Sequence, residues 1–298
     1  MRVAVLGLGH IGGSIARAVV EAGSTVVGWD ADAEVRAAAA ADGVELDEGL
    51  APADLVVLAT PLARLHLDLE RLLAAADRSG ATVTDVASVK GPVLTAAGNH
   101  PAFVAGHPMA GTERSGWEAS SASLFVDAPW LVLVADGADV RRVAAVCRLA
   151  LLAGARPVPI HPASHDRALA TVSHLPHVLA AALTLQAENL LPMAAGSMHG
   201  AARVAAGDPA LPTAMVELNR DAVEAALDHL ARTIERFRAD EDPSRWFTSA
   251  KAVWDRFNHR SMVPVERPLT PVALRAVGEV GGFVTGIGDD SFTAEVPS

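Results

Sequence analysis

Gly106-His107-Pro108-Met109-Ala110-Gly111-Thr112-Glu113 sets a histidine near a carboxylate, in a run too broken by glycine and proline for a helix. An apolar, strand-like segment from Ala102 to Ala105 leads into it, which predicts His107 at the carboxyl end of a strand. Ligands of open α/β sheets bind at that edge. Imidazole titrates near neutral pH, so His107 is a candidate general base; the alternative is a turn histidine packed against the next helix. Ser88, in Asp85-Val86-Ala87-Ser88-Val89-Lys90, also follows a strand-like run. Its hydroxyl can orient an imidazole or a substrate hydroxyl, or cap a helix.

The second half of the chain holds further groups of this kind. Ser164-His165-Asp166 and Ser173-His174-Leu175-Pro176-His177 put histidines and a carboxylate on an otherwise apolar helical pattern. Asp166 and His177 are eleven apart, about three turns and nearly on one face. Pro176 predicts a kink if the helix continues through it. In Ser197-Met198-His199-Gly200-Ala201-Ala202-Arg203, His199 and Arg203 are four apart and so share a helix side. A guanidinium there can grip a carboxylate with two parallel hydrogen bonds. Metal binding is the rival reading for these histidines, but no cysteine partner supports it, and no metal is expected.

The elements that must position these groups begin with Val3 to Leu6, a short apolar run followed by Gly7-Leu8-Gly9-His10-Ile11-Gly12 and a helical pattern from Ser14 to Ala22. This is G-x-G-x-x-G between a strand and a helix, the context in which it binds a dinucleotide. Gly7 makes the turn, Gly9 lets backbone approach a pyrophosphate, and Gly12 lets helix and strand pack, with phosphates over the helix amino terminus. A second strand, Thr25 to Trp29, ends at Asp30, whose carboxylate can accept both ribose hydroxyls and repels a 2′-phosphate. NAD is therefore expected over NADP. A third strand, Asp54 to Thr60, ends at Thr60-Pro61, where proline opens a helix. Gly7, Gly9, His10, Ile11, Gly12, Asp30, Thr60 and Pro61 form the candidate cofactor set.

Strands continue to alternate with helices: Thr82 to Val86, Trp130 to Val134, a helix from Val140 to Ala153, then Arg156 to Ile160. That alternation predicts an α/β, Rossmann-type, mostly parallel sheet over residues 1–160. From Ala163 the pattern turns to long Ala/Leu-rich helices, with Asp208-Pro209 and Asp242-Pro243 as helix starts. Residues 161–298 are accordingly expected to be an all-helical substrate-binding and dimerisation domain, ending in an irregular Pro/Gly/Val-rich tail from about 263. Within that tail Val272 to Val277 and Gly282 to Ile287 suggest a hairpin.

Composition narrows the function classes. A net charge of −11 argues against nucleic acid and anionic membrane surfaces, so an anionic substrate must meet a local Arg/His cluster. No uninterrupted apolar run is long enough for a bilayer, and the strand pattern starting at Val3 leaves no room for a signal peptide. One cysteine, Cys147, cannot form an internal disulfide, which fits a reducing cytoplasm. The only lysines are Lys90 and Lys251, and tyrosine is absent.

Taken together, GLGHIGGSIA, TDVASVKG, GHPMAGTERSGW, SHLPH and the segment Arg203-Val204-Ala205 resemble the prephenate dehydrogenase family of tyrosine biosynthesis over roughly residues 1–260. The resemblance implies a Rossmann-type domain joined to a helical dimerisation domain, with the active site between them. It implies NAD-dependent oxidative decarboxylation of prephenate to 4-hydroxyphenylpyruvate by a homodimer, with arogenate as the alternative substrate. By the same matching His107 takes the proton of the substrate hydroxyl and Ser88 holds histidine and hydroxyl in line. Arg203 binds the ring carboxylate, His199 lies near the side-chain carboxylate, His177 and Asp166 line or support the pocket, and Glu113 lies at its mouth. Pro212 stands where many relatives carry tryptophan, a departure in that wall. 3-Hydroxyacid dehydrogenases share the plan but use a lysine on the first long helix, and no lysine lies between Lys90 and Lys251. A nicotinamide-binding sensor without turnover is the alternative from another class; it has no use for a base at His107.

Overall fold

Val3, Ala4, Val5 and Leu6 are all buried, as a parallel strand covered on both faces must be. They form β1 (Val3–Leu6), the centre of a five-stranded parallel sheet in a computed structural model. The structure describes residues 1–298 apart from Ala51, Thr112 and Glu113 and the side chains of Leu62 and Ala63. Next come α1 (His10–Glu21), β2 (Val26–Trp29), α2 (Ala33–Ala41), β3 (Glu45–Leu46), β4 (Leu55–Leu58), α3 (Leu62–Ser79) and β5 (Thr82–Asp85). The strand order is β3-β2-β1-β4-β5. Leu6 stands opposite both Trp29 and Leu58, so the order reverses at the carboxyl end of β1, directly before the glycine run. A crevice opens at such a reversal, and nucleotides bind there. Two apolar layers cover the sheet: Ile15 and Val19 of α1 on one face, Leu65, Leu69 and Leu72 of α3 on the other.

After β5 the chain forms α4 (Gly91–Ala97), β6 (Gly106–Pro108), β7 (Pro129–Leu133), α5 (Val140–Leu152) and β8 (Arg156–Ile160). The last three strands make a second, mixed sheet, with β6 antiparallel to β7 and β7 parallel to β8. Here the expectation for residues 102–105 needs correction. They touch β5 only through a single bridge, Val83 to Phe103, and the strand proper is β6 itself. His107 therefore sits inside a short strand, opposite Leu131, and not at the end of one. The continuous apolar run marks a strand-like segment but not its pairing, and the ladder forms one step later, from Gly106, against β7.

The tail also differs from its expectation. Contacts divide the chain into residues 1–162 with 262–298, and residues 163–261, so the tail belongs to the first unit. It is ordered: β9 (Met262–Pro268), α12 (Pro271–Glu279), β10 (Phe283–Ile287) and β11 (Ser291–Pro297), an antiparallel sheet in the order β10-β11-β9. Residues 272–277 are helix and not strand. Thr270 caps it by accepting from Ala273 N, and Pro271 opens it. Leu274, Val277, Val284, Phe292 and Ala294 bury in the same core as Val143 and Trp130, which is why the tail stays with the sheet. Gly278 is packed so closely on β8 that a Cβ there would lie 1.9 Å from Pro159 O.

Among the described residues, 163–261 contain no strand. The unit comprises α6 (Pro162–Leu169), a π-helical turn over Ala170–His174, α7 (Leu175–Gln186), α8 (Gly196–Ala202), α9 (Ala210–Leu218), α10 (Arg220–Ala239) and α11 (Pro243–Asn258). Asp242 caps α11 through Ser244 N, and Asp208 accepts from Ala210 N at the start of α9. Pro176 does not break the rod. The wider π turn ahead of it relieves the clash of its ring with the preceding carbonyl, so helix runs from Pro162 to Gln186. By length and composition alone that helix could cross a membrane, although no uninterrupted apolar run in it is long enough to do so. His165, Asp166, Arg167, His174 and His177 interrupt its apolar surface.

Candidate active site

In the first unit the glycine loop has the shape its motif demands. Gly7 has φ +93°, and a Cβ there would come within 2.6 Å of Ala59 O. A Cβ on Gly12 would lie 1.9 Å from Gly7 O, so α1 closes directly on the turn. Gly9 is the reverse case, with nothing within 4 Å of the Cβ it lacks. It opens to free space at the amino terminus of α1, where a diphosphate can meet backbone N–H groups. Asp30 Oδ2 accepts from Leu8 N (2.7 Å) and Oδ1 from Asp32 N (2.9 Å), which fixes the carboxylate at the rim of the loop. Each oxygen keeps a second lone pair for a ribose hydroxyl. These residues fit a dinucleotide. Beside them Ile11 is half-buried, His10 donates through Nδ1 to Ala119 O, and Thr60 donates to Asp68. Pro61 forms the cap position of α3.

His107 and Ser88 are held by one buried ion pair that the sequence did not mark as functional. Asp85 and Lys90 are both fully buried, and Lys90 Nζ donates to Asp85 Oδ2 and to Gly106 O (2.6 Å). Asp85 Oδ2 also accepts from Ala87 N, and Oδ1 from Gly106 N (3.3 Å). One carboxylate thus binds the residue before Ser88 and the residue before His107. Burying two charges is costly unless they are paired and otherwise satisfied, and here the backbone supplies the remaining partners. A Cβ on Gly106 would lie about 3 Å from Thr84 Oγ1, Asp85 O and Trp130 Nε1, so a larger residue would have to push this tight packing apart. His107 is 8% exposed and Ser88 half-buried. Ser88 does not cap α4; Lys90 occupies that position. The available signal was Lys90 itself, the only lysine before residue 251 and set in an apolar stretch.

In the second unit His199 and Arg203 line one shallow cavity of about 220 Å³ with Thr184, Leu191 and Met198. The helix tightens to a 3-10 turn at Arg203, yet the two side chains keep the shared side that their spacing implied. Both are exposed.

Asp166 and His177 belong to a different group, centred on buried histidines. Asp166 Oδ1 is 2.7 Å from His165 Nδ1, and Asn219 Nδ2 donates to Asp166 O (2.7 Å) and to His174 Nδ1 (3.1 Å). The acceptor role of Nδ1 places the proton of neutral His174 on Nε2. That atom is buried without a partner among the described residues. Burial pulls His174 below the ordinary histidine value; Asp166 opposes the shift, and His165 and His177 add to it. The histidine-rich segment was visible in sequence, but the π turn rephases it, so His165 and His174 point inward while His177 stays half-buried. Glu113 lies outside the described residues. No cluster of three metal-ligating groups occurs among the described residues. Burial pushes the Cys147 thiol up to about 12, so it is not a nucleophile.

A glycine-loop crevice at a sheet reversal, followed by a helical unit with an Arg/His cavity, defines a two-part dinucleotide-dependent dehydrogenase plan. Residues 15–158 match the family model "Prephenate dehydrogenase, nucleotide-binding domain", and residues 161–241 match "Prephenate dehydrogenase, dimerization domain". The chain belongs to the prephenate dehydrogenase family. It is 32% identical to the prephenate dehydrogenase of Bacillus subtilis (strain 168) over 274 residues, 84% of this chain and 74% of that one. Among solved structures it resembles Synechocystis arogenate dehydrogenase (27% identity, TM-score 0.77, covering 86% of this chain and 100% of that one). It also resembles the A. aeolicus prephenate dehydrogenase in complex with hydroxyphenyl propionate and NAD+ (25% identity, TM-score 0.74, covering 86% and 98%).

Proposed function

We propose that this protein is an NAD-dependent prephenate dehydrogenase, which converts prephenate to 4-hydroxyphenylpyruvate with loss of CO₂. The observation that carries this reading is the shared grip of Asp85 on the residues before Ser88 and His107, beside a glycine loop shaped for a dinucleotide. NAD, held by Gly7, Gly9, His10, Ile11, Gly12, Asp30, Thr60 and Pro61, supplies the hydride acceptor. His107 accepts the proton of the ring hydroxyl as that oxygen becomes a carbonyl, and Ser88 keeps imidazole and hydroxyl aligned. Arg203 binds the ring carboxylate that leaves as CO₂, and the arrival of an aromatic ring makes the step downhill. His199 faces the side-chain carboxylate. His177 and Asp166 support the helical unit's part of the site through the His174–Asn219 group.

The protein works as a homodimer in the cytoplasm. Support comes from the match to the dimerization domain and from the apolar residues that the helical unit leaves open, including Leu185 (76% exposed), Met193 (78%) and Trp254 (65%). Such a surface suits a second copy of the chain. Arogenate is the second reading, favoured by the likeness to the Synechocystis enzyme. His199 is not acidic, and an acidic neighbour is what a substrate ammonium would select; prephenate is therefore preferred.

The test is NADH formation on addition of prephenate or arogenate, followed in parent and Arg203→Ala. Prephenate-dependent NADH is expected, with KM raised about tenfold or more in Arg203→Ala because a carboxylate loses its charged partner. No NADH with either substrate overturns the assignment, and faster turnover of arogenate reverses the preference.

A further inference from the structure

Arg36 stands beside the ribose end of the glycine-loop crevice, and nothing in the proposed reaction uses it. It lies in α2, and its guanidinium rests on the ring of Trp29, 4.5 Å from the centroid. One nitrogen, Nη1, donates to Asp30 O (2.7 Å) and Ala31 O (2.9 Å). The side chain is thus fixed by a stack and two backbone carbonyls, at the residue that ends β2. Among the described residues no carboxylate pairs with it; the Asp30 oxygens accept from Leu8 N and Asp32 N instead. The donors on Nε and Nη2 meet no acceptor among the described residues. A fixed guanidinium with unused donors is well suited to a phosphate monoester.

We infer that Arg36 is a latent subsite for the 2′-phosphate of a dinucleotide, and that the Asp30 carboxylate alone keeps it from use. Resting on the NAD assignment above, this makes cofactor choice a contest between two neighbours. Asp30 binds the ribose hydroxyls and repels a dianion, while Arg36 attracts the same dianion. Removing Asp30 leaves the cation already in place. A chain in which Arg36 only braces Trp29 and the loop carbonyls makes no such forecast.

Isothermal titration with NADH and NADPH on the full chain separates the two. The parent is expected to bind NADH at least tenfold more tightly than NADPH. Asp30→Ser, which keeps a hydroxyl acceptor for the loop, should bind NADPH at least tenfold more tightly than the parent does. Asp30→Ser/Arg36→Ala should lose most of that gain, binding NADPH at least fivefold more weakly than Asp30→Ser and keeping only what relief of the Asp30 repulsion supplies. If melting curves show that Asp30→Ser does not fold, Asp30→Asn takes its place in both arms. No gain of NADPH affinity in the folded Asp30 variant, or a gain that survives undiminished when Arg36 is also lost, overturns the inference while leaving the NAD assignment intact. A parent that binds no NADH overturns the assignment itself, and the latent subsite with it.

Discussion

The two units each bury a polar group next to candidate site residues, and the groups are built on opposite principles. In the first unit Asp85 and Lys90 are both charged, both fully buried, and both bonded in addition to backbone. In the second, His174 shares Asn219 with Asp166 and leaves a buried Nε2 without a partner among the described residues. The first arrangement locks backbone in place, since every charge is answered by a fixed group. The second can be disturbed by a single proton. Geometry for proton transfer is thus rigid in the sheet unit, whereas the helical unit, with His199 and Arg203 exposed, presents a more adaptable surface. The lesson is that burial alone does not define a functional cluster; what matters is whether each buried polar atom is satisfied.

The sharpest test of the rigid side is His107→Asn. Turnover should fall by about 10²- to 10⁴-fold, the range of a lost general base, with NADH affinity and melting temperature near the parent's. Per-molecule turnover at the parent rate would reduce His107 to a packing residue of β6.

Lys90→Met probes the ion pair beneath it. Leaving Asp85 buried without its cation should cost about 3–5 kcal/mol in urea unfolding, because the methionine fills space but answers no charge. A loss below about 1 kcal/mol would mean that water or the backbone N–H groups suffice, and the contrast between the two clusters would fade.

The smallest effect concerns His174. Its folded pKa lies below the unfolded value, so the unfolded chain binds the proton first. Its contribution to stability is complete well above about pH 6.5 and is lost as pH falls through that value toward the folded pKa, by at most about 1.4 kcal/mol per pH unit. His174→Gln should therefore flatten the decline of stability between pH 7 and pH 5, measured by urea unfolding. Parallel declines in parent and variant would show that other groups carry the acid sensitivity.

Local patterns in the sequence determined much of this protein. The glycine run at residues 7–12, Asp30 at the end of β2, and the strand of residues 156–160 follow from short-range signals: apolar runs, turn glycines and cap residues. The change to helices after residue 160 is legible for the same reason. His199 and Arg203 share a cavity because a spacing of four survives even when the last turn tightens.

Tertiary structure decided the rest, wherever a residue's partner is distant along the chain. The β6 strand exists because β7 pairs with it, and no property of residues 102–108 announces that partner. The tail joins the first unit because Leu274, Val284 and Phe292 reach its core, although Thr270-Pro271 had the form of a helix start all along. Asp85 and Lys90 read as a strand end and a loop until packing buries them together with Gly106. Sequence fixes local conformation through neighbours a few residues apart, but burial and charge pairing are set by contacts between segments, and those exist only once the chain has folded.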